Sequence, residues 1–252
     1  MTRPRVTESS SLSEALKRYG IDLPTPQVEL LERYCAVLWE WNGKMNLTRH
    51  TTYDRFVARD IVDTLAFARH LEPKERVLDV GSGGGVPGIT LAIVRPDIKV
   101  ALSESVAKKA GALADMVDRL ELPIRVFTAR AEEALRIEQF NTLTVRAVAP
   151  LSKLLRWFRP MWHTFDRLLL VKGPSWVEER GQARHFGLLR NLALRRLEEY
   201  TVPETEAASV VLQICPADRM IDKRRCRLED RSPKRSKNRK RPNPQAETAT
   251  NR

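Results

Sequence analysis

Residues 77–88, Val-Leu-Asp-Val-Gly-Ser-Gly-Gly-Gly-Val-Pro-Gly, run an apolar strand pattern straight into a turn that holds five glycines in eight positions. Glycine reaches positive φ without strain and carries no Cβ, so such a run lets a ligand lie directly on the backbone. A merely tight strand-to-helix turn needs one glycine, not five. Pro87 then stands where a helix would begin. The segment reads as a strand, loop and helix of the nucleotide-binding type, and the remaining chain has to supply the sheet that supports it.

From Glu75 onward short apolar runs alternate with helical ones. Strands are expected at 76–80, 98–103, 124–127, 142–147 and 166–171, with helices from Pro87 and over 105–119, 130–136, 151–160 and 175–191. Alternation of this kind predicts a parallel sheet covered by helices on both faces. Two β-rich runs, 194–201 and 208–215, have no helix between them and read as a closing antiparallel hairpin. Before Glu75 the pattern is helical: Ser11-Leu-Ser-Glu14 is a capping box, Thr25-Pro26 opens a second helix, and a third starts near Thr52. The second carries Val28, Leu31, Tyr34, Cys35, Leu38 and Trp41 on one stripe. The chain thus divides into an N-terminal helical segment packed on the core (1–72), an α/β domain (73–218) and a tail (219–252).

The net charge of +12 belongs mostly to that tail. Residues 223–252 hold twelve basic and three acidic side chains, which accounts for +9, so the body is nearly balanced. The tail has no apolar periodicity and is expected to be disordered, because it cannot offset the entropy of ordering with buried surface. Its cations suit a polyanion. Cys35, Cys215 and Cys226 are scattered without metal-ligand spacing, so neither a disulfide framework nor a zinc site is expected. No apolar run reaches the roughly 20 residues of a membrane span and no signal-peptide pattern opens the chain; a soluble, cytoplasmic protein is expected.

Residues 83–88 also satisfy G-x-G-x-x-G, the dinucleotide fingerprint, but displaced two residues from the strand's end. Asp79 beside the loop would repel a pyrophosphate, which disfavours an NAD-dependent oxidoreductase. A carboxylate there suits a ligand with positive charge, and S-adenosylmethionine carries a sulfonium and an ammonium. Glu104, twenty-five residues after Asp79 at the end of the next strand, stands where a carboxylate can accept from ribose hydroxyls. No Gly-Lys-Ser/Thr follows the glycines, so a P-loop is excluded.

The strings Trp41-Asn42…Asn46-Leu-Thr48, Arg59…Asp63-Thr-Leu65, Asp79–Gly88, Arg130-Ala-Glu-Glu133, Arg146-Ala-Val-Ala149 and Val171-Lys-Gly173 occur in one order and spacing over about residues 26–215. Together they resemble the bacterial 16S ribosomal RNA guanine-N7 methyltransferases, the RsmG (GidB) family. The resemblance implies a class I S-adenosylmethionine-dependent methyltransferase fold, Rossmann-like, with a seven-stranded sheet closed by an antiparallel hairpin. It implies methyl transfer to N7 of a guanine in the decoding-region loop of 16S rRNA, with the small ribosomal subunit as partner. Its cofactor contacts fall on Gly81, Val86, Ala131, Glu132 and Arg146, to which Asp79, Gly83 and Gly85 at the loop and Glu104 at the end of the next strand are added; the Arg146 fork suits either the methionine carboxylate of the cofactor or the target guanine. Three positions depart from the family pattern: Asp60 stands where many members have His, Asn141 replaces an Asp, and Pro174 follows Lys172-Gly173.

Guanine N7 has a free lone pair and no proton, so no catalytic base is expected, and no Ser-His-Asp or Cys-His arrangement is present in the sequence. The four histidines are scattered and read as surface or packing residues. Asn42, Asn46, Asp63 and Lys172 are candidates for holding the guanine edge, since they supply both donors and acceptors. Trp39 and Trp41 are alternatives for stacking, although Trp41 also fits the apolar stripe. A monomer needing no metal is expected. The competing reading is a noncatalytic RNA-binding or ribosome-assembly protein with the same fold. Deleting residues 223–252 is expected to leave S-adenosylmethionine affinity unchanged in calorimetry. If the tail is an RNA-docking arm, the deletion weakens RNA binding and flattens its salt dependence.

Overall fold

The capping box at residues 11–14 forms with one change of partner. Ser11 Oγ accepts from the Glu14 amide (3.2 Å), but the Glu14 carboxylate reaches back to the amide of Ser10 (2.8 Å). Helix α1 (Leu12–Arg18) follows, and α2 (Thr25–Asn42) buries the stripe Leu31, Tyr34, Cys35 and Leu38. A third helical run comprises α3 (Tyr53–Arg55), a π-helical stretch over Phe56–Ile61, and α4 (Val62–Ala68), with Thr52 capping its start. This computed structural model describes residues 8–203 and 205–219; the expected disordered tail beyond Arg219 and Cys226 lie outside the described residues.

Seven strands follow: β1 (Arg76–Val80), β2 (Lys99–Ser103), β3 (Arg125–Phe127), β4 (Phe140–Arg146), β5 (Phe165–Lys172), β6 (Leu192–Thr201) and β7 (Ala208–Pro216). They form one sheet in the order β3-β2-β1-β4-β5-β7-β6. The first five are parallel, and β7 inserts antiparallel between β5 and β6. The connecting helices are α5 (Gly88–Val94), α6 (Ala107–Arg119), α7 (Ala131–Ile137), α8 (Leu151–Phe158) and α9 (Trp176–His185). Five parallel strands closed at one edge by an antiparallel hairpin agree with the sheet expected from the sequence.

Period-two alternation along the strands divides the interior into two cores. Val77, Val100, Leu102, Leu169 and Val171 face α1, α2, α4, α5 and α6; Leu78, Val80, Leu143, Val145 and Leu168 face α7, α8 and α9. The N-terminal helices therefore share one core with the sheet, through Leu12, Leu31, Phe56 and Phe67. Their far end is pinned by charge as well: Arg167 of β5 donates to buried Glu75 (2.9 Å) and to the carbonyl of His70 (2.7 Å), and Thr142 donates to the same carboxylate.

At the start of α5 the helix lies against β1 and β2 with no room to spare. A Cβ on Gly88 would come within 2.2 Å of Leu102 Cδ2 and 2.9 Å of Asp79 Cβ. Overpacking of this kind costs typically 1–3 kcal/mol when neighbours can shift. Gly88→Ala is accordingly expected to lower the unfolding free energy by at least about 2 kcal/mol in urea titrations, whereas Gly111→Ala, at an open position of α6, is expected to be neutral or stabilising. Equal effects would contradict the packing described.

Candidate active site

The order of strands reverses between β1 and β4, and the crevice beyond the carboxyl ends of strands at such a point is where open α/β sheets bind ligands. A cleft of about 280 Å³ occupies this place. Val80 and Gly81 from β1, Ser103 and Ser105 after β2, Ala129 to Glu132 after β3, and Val148 after β4 form its sides, with Lys153, Trp157 and Phe158 of α8 closing it. A larger hollow of about 560 Å³, lined by Arg136, Glu138 and His163 among others, opens at the amino ends of β4 and β5, away from the glycines.

Gly81 is the glycine that meets the cleft. Its φ of +66° is strained for any side chain, and a Cβ would come within 3.0 Å of Val148 Cγ2. The bare backbone thus forms one wall. Ala131 opens α7 and is buried, and Glu132 stands in that helix's first turn. Apolar surface from Val80, Ala129, Val148, Trp157 and Phe158 beside the polar Ser103, Ser105 and Glu132 fits an adenosine-bearing ligand such as S-adenosylmethionine. The backbone amide at Ala131 needs no special side chain to read a ring nitrogen.

Asp79 and Glu104 act from behind the loop. Asp79 is in register with Thr144 of β4 and is 1% exposed. Its Oδ1 accepts from Thr144 Oγ1 (3.0 Å) and its Oδ2 from the Gly88 amide (3.2 Å). Burial raises its pKa to about 6, against the lowering effect of these bonds. Glu104 accepts from the amides of Gly83 (3.0 Å) and Val106 (2.8 Å), joining the glycine loop to the start of α6. Neither carboxylate lines the cleft. On the far side Tyr34 of α2 donates to the carbonyl of Gly84 (2.8 Å), and Gly85 donates to Ser82 O (2.7 Å). Val86 packs toward the core shared with the N-terminal helices.

A second group gathers around Arg146, at the end of β4. Its Nη1 donates to Asp60 Oδ1 (2.7 Å) and Asp63 Oδ2 (3.2 Å), both in the helical run 53–68. Asp60 Oδ2 meets His50 Nδ1 at 2.8 Å, and Asp63 Oδ1 accepts from Tyr200 of β6 at 2.7 Å. Arg59 Nε lies 3.4 Å from Asp63. Burial works against charge on Asp60, but Arg146 and His50 outweigh it and hold the carboxyl below its ordinary value. Burial likewise opposes charge on Arg146, and the two aspartates overcome it. Tyr200 is pushed up by burial and by Asp63.

The remaining candidates fall elsewhere. Asn42 Oδ1 accepts from the amides of Leu47 (2.8 Å) and Thr48 (2.9 Å), so it shapes the 43–48 loop. Asn46 is exposed on that loop. Lys172 donates to Ala149 O and to Glu179, each at 2.8 Å, fixing the segment after β4. Trp39 donates to His50 O (2.9 Å) and Trp41 to Asp115 (2.7 Å), so both indoles are engaged within the fold. Asn141 accepts from the Arg76 amide (2.9 Å), a local strand contact. Sequence reading missed His50, Lys153 and Trp157. His50 stands alone in an irregular loop, and the α8 residues carry the ordinary pattern of a surface helix. Among the described residues no group of three or more His, Cys, Asp or Glu is placed to hold a metal, and no helix is long and apolar enough to cross a membrane.

Residues 27–206 match the family model GidB, rRNA small subunit methyltransferase G. A protein named ribosomal RNA small subunit methyltransferase G from Rhodopirellula baltica is 52% identical over 186 residues, covering 74% of this chain and 80% of its own. Proteins of the same name from Chromobacterium violaceum and Roseiflexus sp. are each 36% identical, over 79% and 80% of this chain and 93% and 88% of theirs. With the family model spanning well over half of its length, the chain belongs to the GidB family of rRNA small subunit methyltransferases.

Proposed function

We propose that this protein transfers a methyl group from S-adenosylmethionine to N7 of a guanine in the decoding-region loop of 16S rRNA, acting as a cytoplasmic monomer on the small ribosomal subunit. The observation that carries the reading is the cleft at the β1/β4 switch point, walled by the side-chain-free backbone of Gly81, in a chain of the GidB family. The helical segment 1–72 buttresses the loop, the domain 73–218 binds and transfers, and the extension 219–252 adds affinity for RNA.

When bound, S-adenosylmethionine supplies a methyl group made electrophilic by its sulfonium. The N7 lone pair of guanine attacks without losing a proton, so the chain has to align and desolvate rather than to deprotonate. Gly81, Ala131 and Glu132 hold the cofactor, while Ser103 donates its hydroxyl to Ala129 O (2.9 Å) and so fixes the cleft wall between β2 and the segment after β3. Arg146, its guanidinium held by Asp60 and Asp63, is fixed at the end of the strand beside β1. A fixed fork of donors there suits the O6 acceptor of an incoming guanine and leaves the N7 lone pair free to attack.

Cells lacking the gene are expected to lose one N7-methylguanine from 16S RNA, to regain it with the wild-type gene, and not to regain it with Gly81→Asp. Methylation that persists without the gene sinks the proposal. In calorimetry the wild-type protein is expected to bind S-adenosylmethionine and Gly81→Asp to bind at least about tenfold more weakly, a loss of about 1.4 kcal/mol. No binding by the wild type would favour the noncatalytic RNA-binding alternative.

Asp79 gives a separate test. Its folded-state pKa of about 6 exceeds the ordinary 3.8, so the folded chain favours the protonated form. The stabilising contribution is complete below about pH 4 and is lost as pH rises through 6. The unfolding free energy of wild type minus that of Asp79→Asn is therefore expected to fall by about 1–3 kcal/mol between pH 4 and pH 8. A difference that does not vary with pH would show that burial does not control this carboxyl.

A further inference from the structure

Helix α9 contributes one buried residue, Ala183, from its ten positions. So slight an apolar face does not by itself account for a surface helix. What α9 does offer, with the neighbouring α8, is a set of basic side chains laid over aromatic rings. Lys153 Nζ lies 5.1 Å from the centre of Trp157, the Arg156 guanidinium 5.3 Å from Phe186, and the Arg180 guanidinium 4.9 Å from Trp176. Phe186 is 58% exposed, which is uncommon for so large an apolar ring.

The cations of this face are also unspent. Lys153, Arg156, Arg180 and Arg184 make no ion pair among the described residues, and three of them lie over aromatic rings. Glu179 of α9 is taken by Lys172 and by the Leu151 amide, which leaves Glu178 as that helix's opposing acid. The face is continuous with the cleft, because Lys153 and Trp157 of α8 line it.

Resting on the methyltransferase reading, we infer that the outer face of α8 and α9 is the surface on which single-stranded ribosomal RNA flanking the target guanine docks. Phosphates meet the unpaired Lys and Arg charges. Unstacked bases lie on the exposed ring of Phe186 and on the outward planes of the Arg156 and Arg180 guanidinia, as aromatic and arginine planes accept bases of any sequence. The path then leads past Lys153 and Trp157 into the cleft, which places the RNA strand on the side of the sheet opposite the N-terminal helices.

The test uses the full chain carrying R156E/R180E/R184E, with protein-free 16S RNA and small subunits from cells lacking the gene as probes. Affinity for both probes is expected to fall at least about tenfold near 0.1 M salt, and the slope of log affinity against log salt to become shallower by about 2 for three phosphate contacts on a single strand. S-adenosylmethionine affinity, which reports an intact fold, is expected to stay unchanged. The milder R156Q/R184Q variant is expected to change RNA binding in the same direction by a smaller factor. RNA affinity within twofold of wild type in both variants overturns the proposal. So does a loss confined to subunits with naked RNA bound as before, which would point to a ribosomal protein instead. Methyl transfer by the wild type is measured alongside: RNA bound through this face without transfer would fell the enzymatic reading and leave the docking surface standing.

Discussion

Asp60 and Asp63 are 1% and 0% exposed, and both depend on the single guanidinium of Arg146. Two carboxylates in such a place repel each other and lose their hydration, and the effective penalty is several kcal/mol per ion unless hydrogen bonds replace the water. Arg146, His50, Arg59 and Tyr200 make that replacement. The cluster therefore ties together the helical run 53–68, the 43–52 loop, the end of β4 and the closing hairpin. Removing Arg146 would leave two buried carboxylates without the cation they share, so the N-terminal helices are bound to the strand ends by electrostatics as well as by their shared core. The π-helical turn at 56–61 lies at this junction, where one additional residue per turn alters the direction in which the following side chains project.

The glycine loop is held in the same indirect way. Asp79, Glu104 and Tyr34 each use their polar atoms on its backbone: the first on Gly88, the second on Gly83, the third on Gly84. These bonds satisfy peptide groups that would otherwise face an apolar interior. They also fix the loop from its protein side and leave the front at Gly81 bare. Acids at the ends of neighbouring strands look like ligand contacts in a sequence because the same residue types serve both purposes. Here both carboxylates accept from loop amides, which is compatible with either purpose.

This ambiguity bounds what the sequence made legible. Short apolar runs locate every strand to within two residues, and β1 is found at its observed limits, because burial on both faces of the parallel strands leaves continuous apolar runs. The glycine run announces close approach but does not say to what: Gly81 adjoins the cleft, whereas Gly88 is required by Leu102. Asp79 meets Thr144 only because β1 and β4 pair in a particular register. His50 joins Asp60 only after the loop folds back, and the role of Asn42 as an acceptor for two amides is set by a turn without periodicity. Contacts that arise from register and loop closure leave no local trace in composition or spacing.

Net charge behaves similarly. The body of the chain is nearly balanced, yet balance says nothing about how charges are distributed or engaged. Around β1 and β3 the arginines are consumed locally: Arg76 and Arg125 share Glu138, and Arg119 pairs with Glu40 and Asp115. Exposed pairs of this sort add little stability, from nothing to about 1 kcal/mol each, but each one cancels a cation that a polyanion would otherwise feel. On α8 and α9 the acids are too few to do so. The cations of α8 and α9 therefore stay unpaired beside the cleft, a distribution that the total charge does not report.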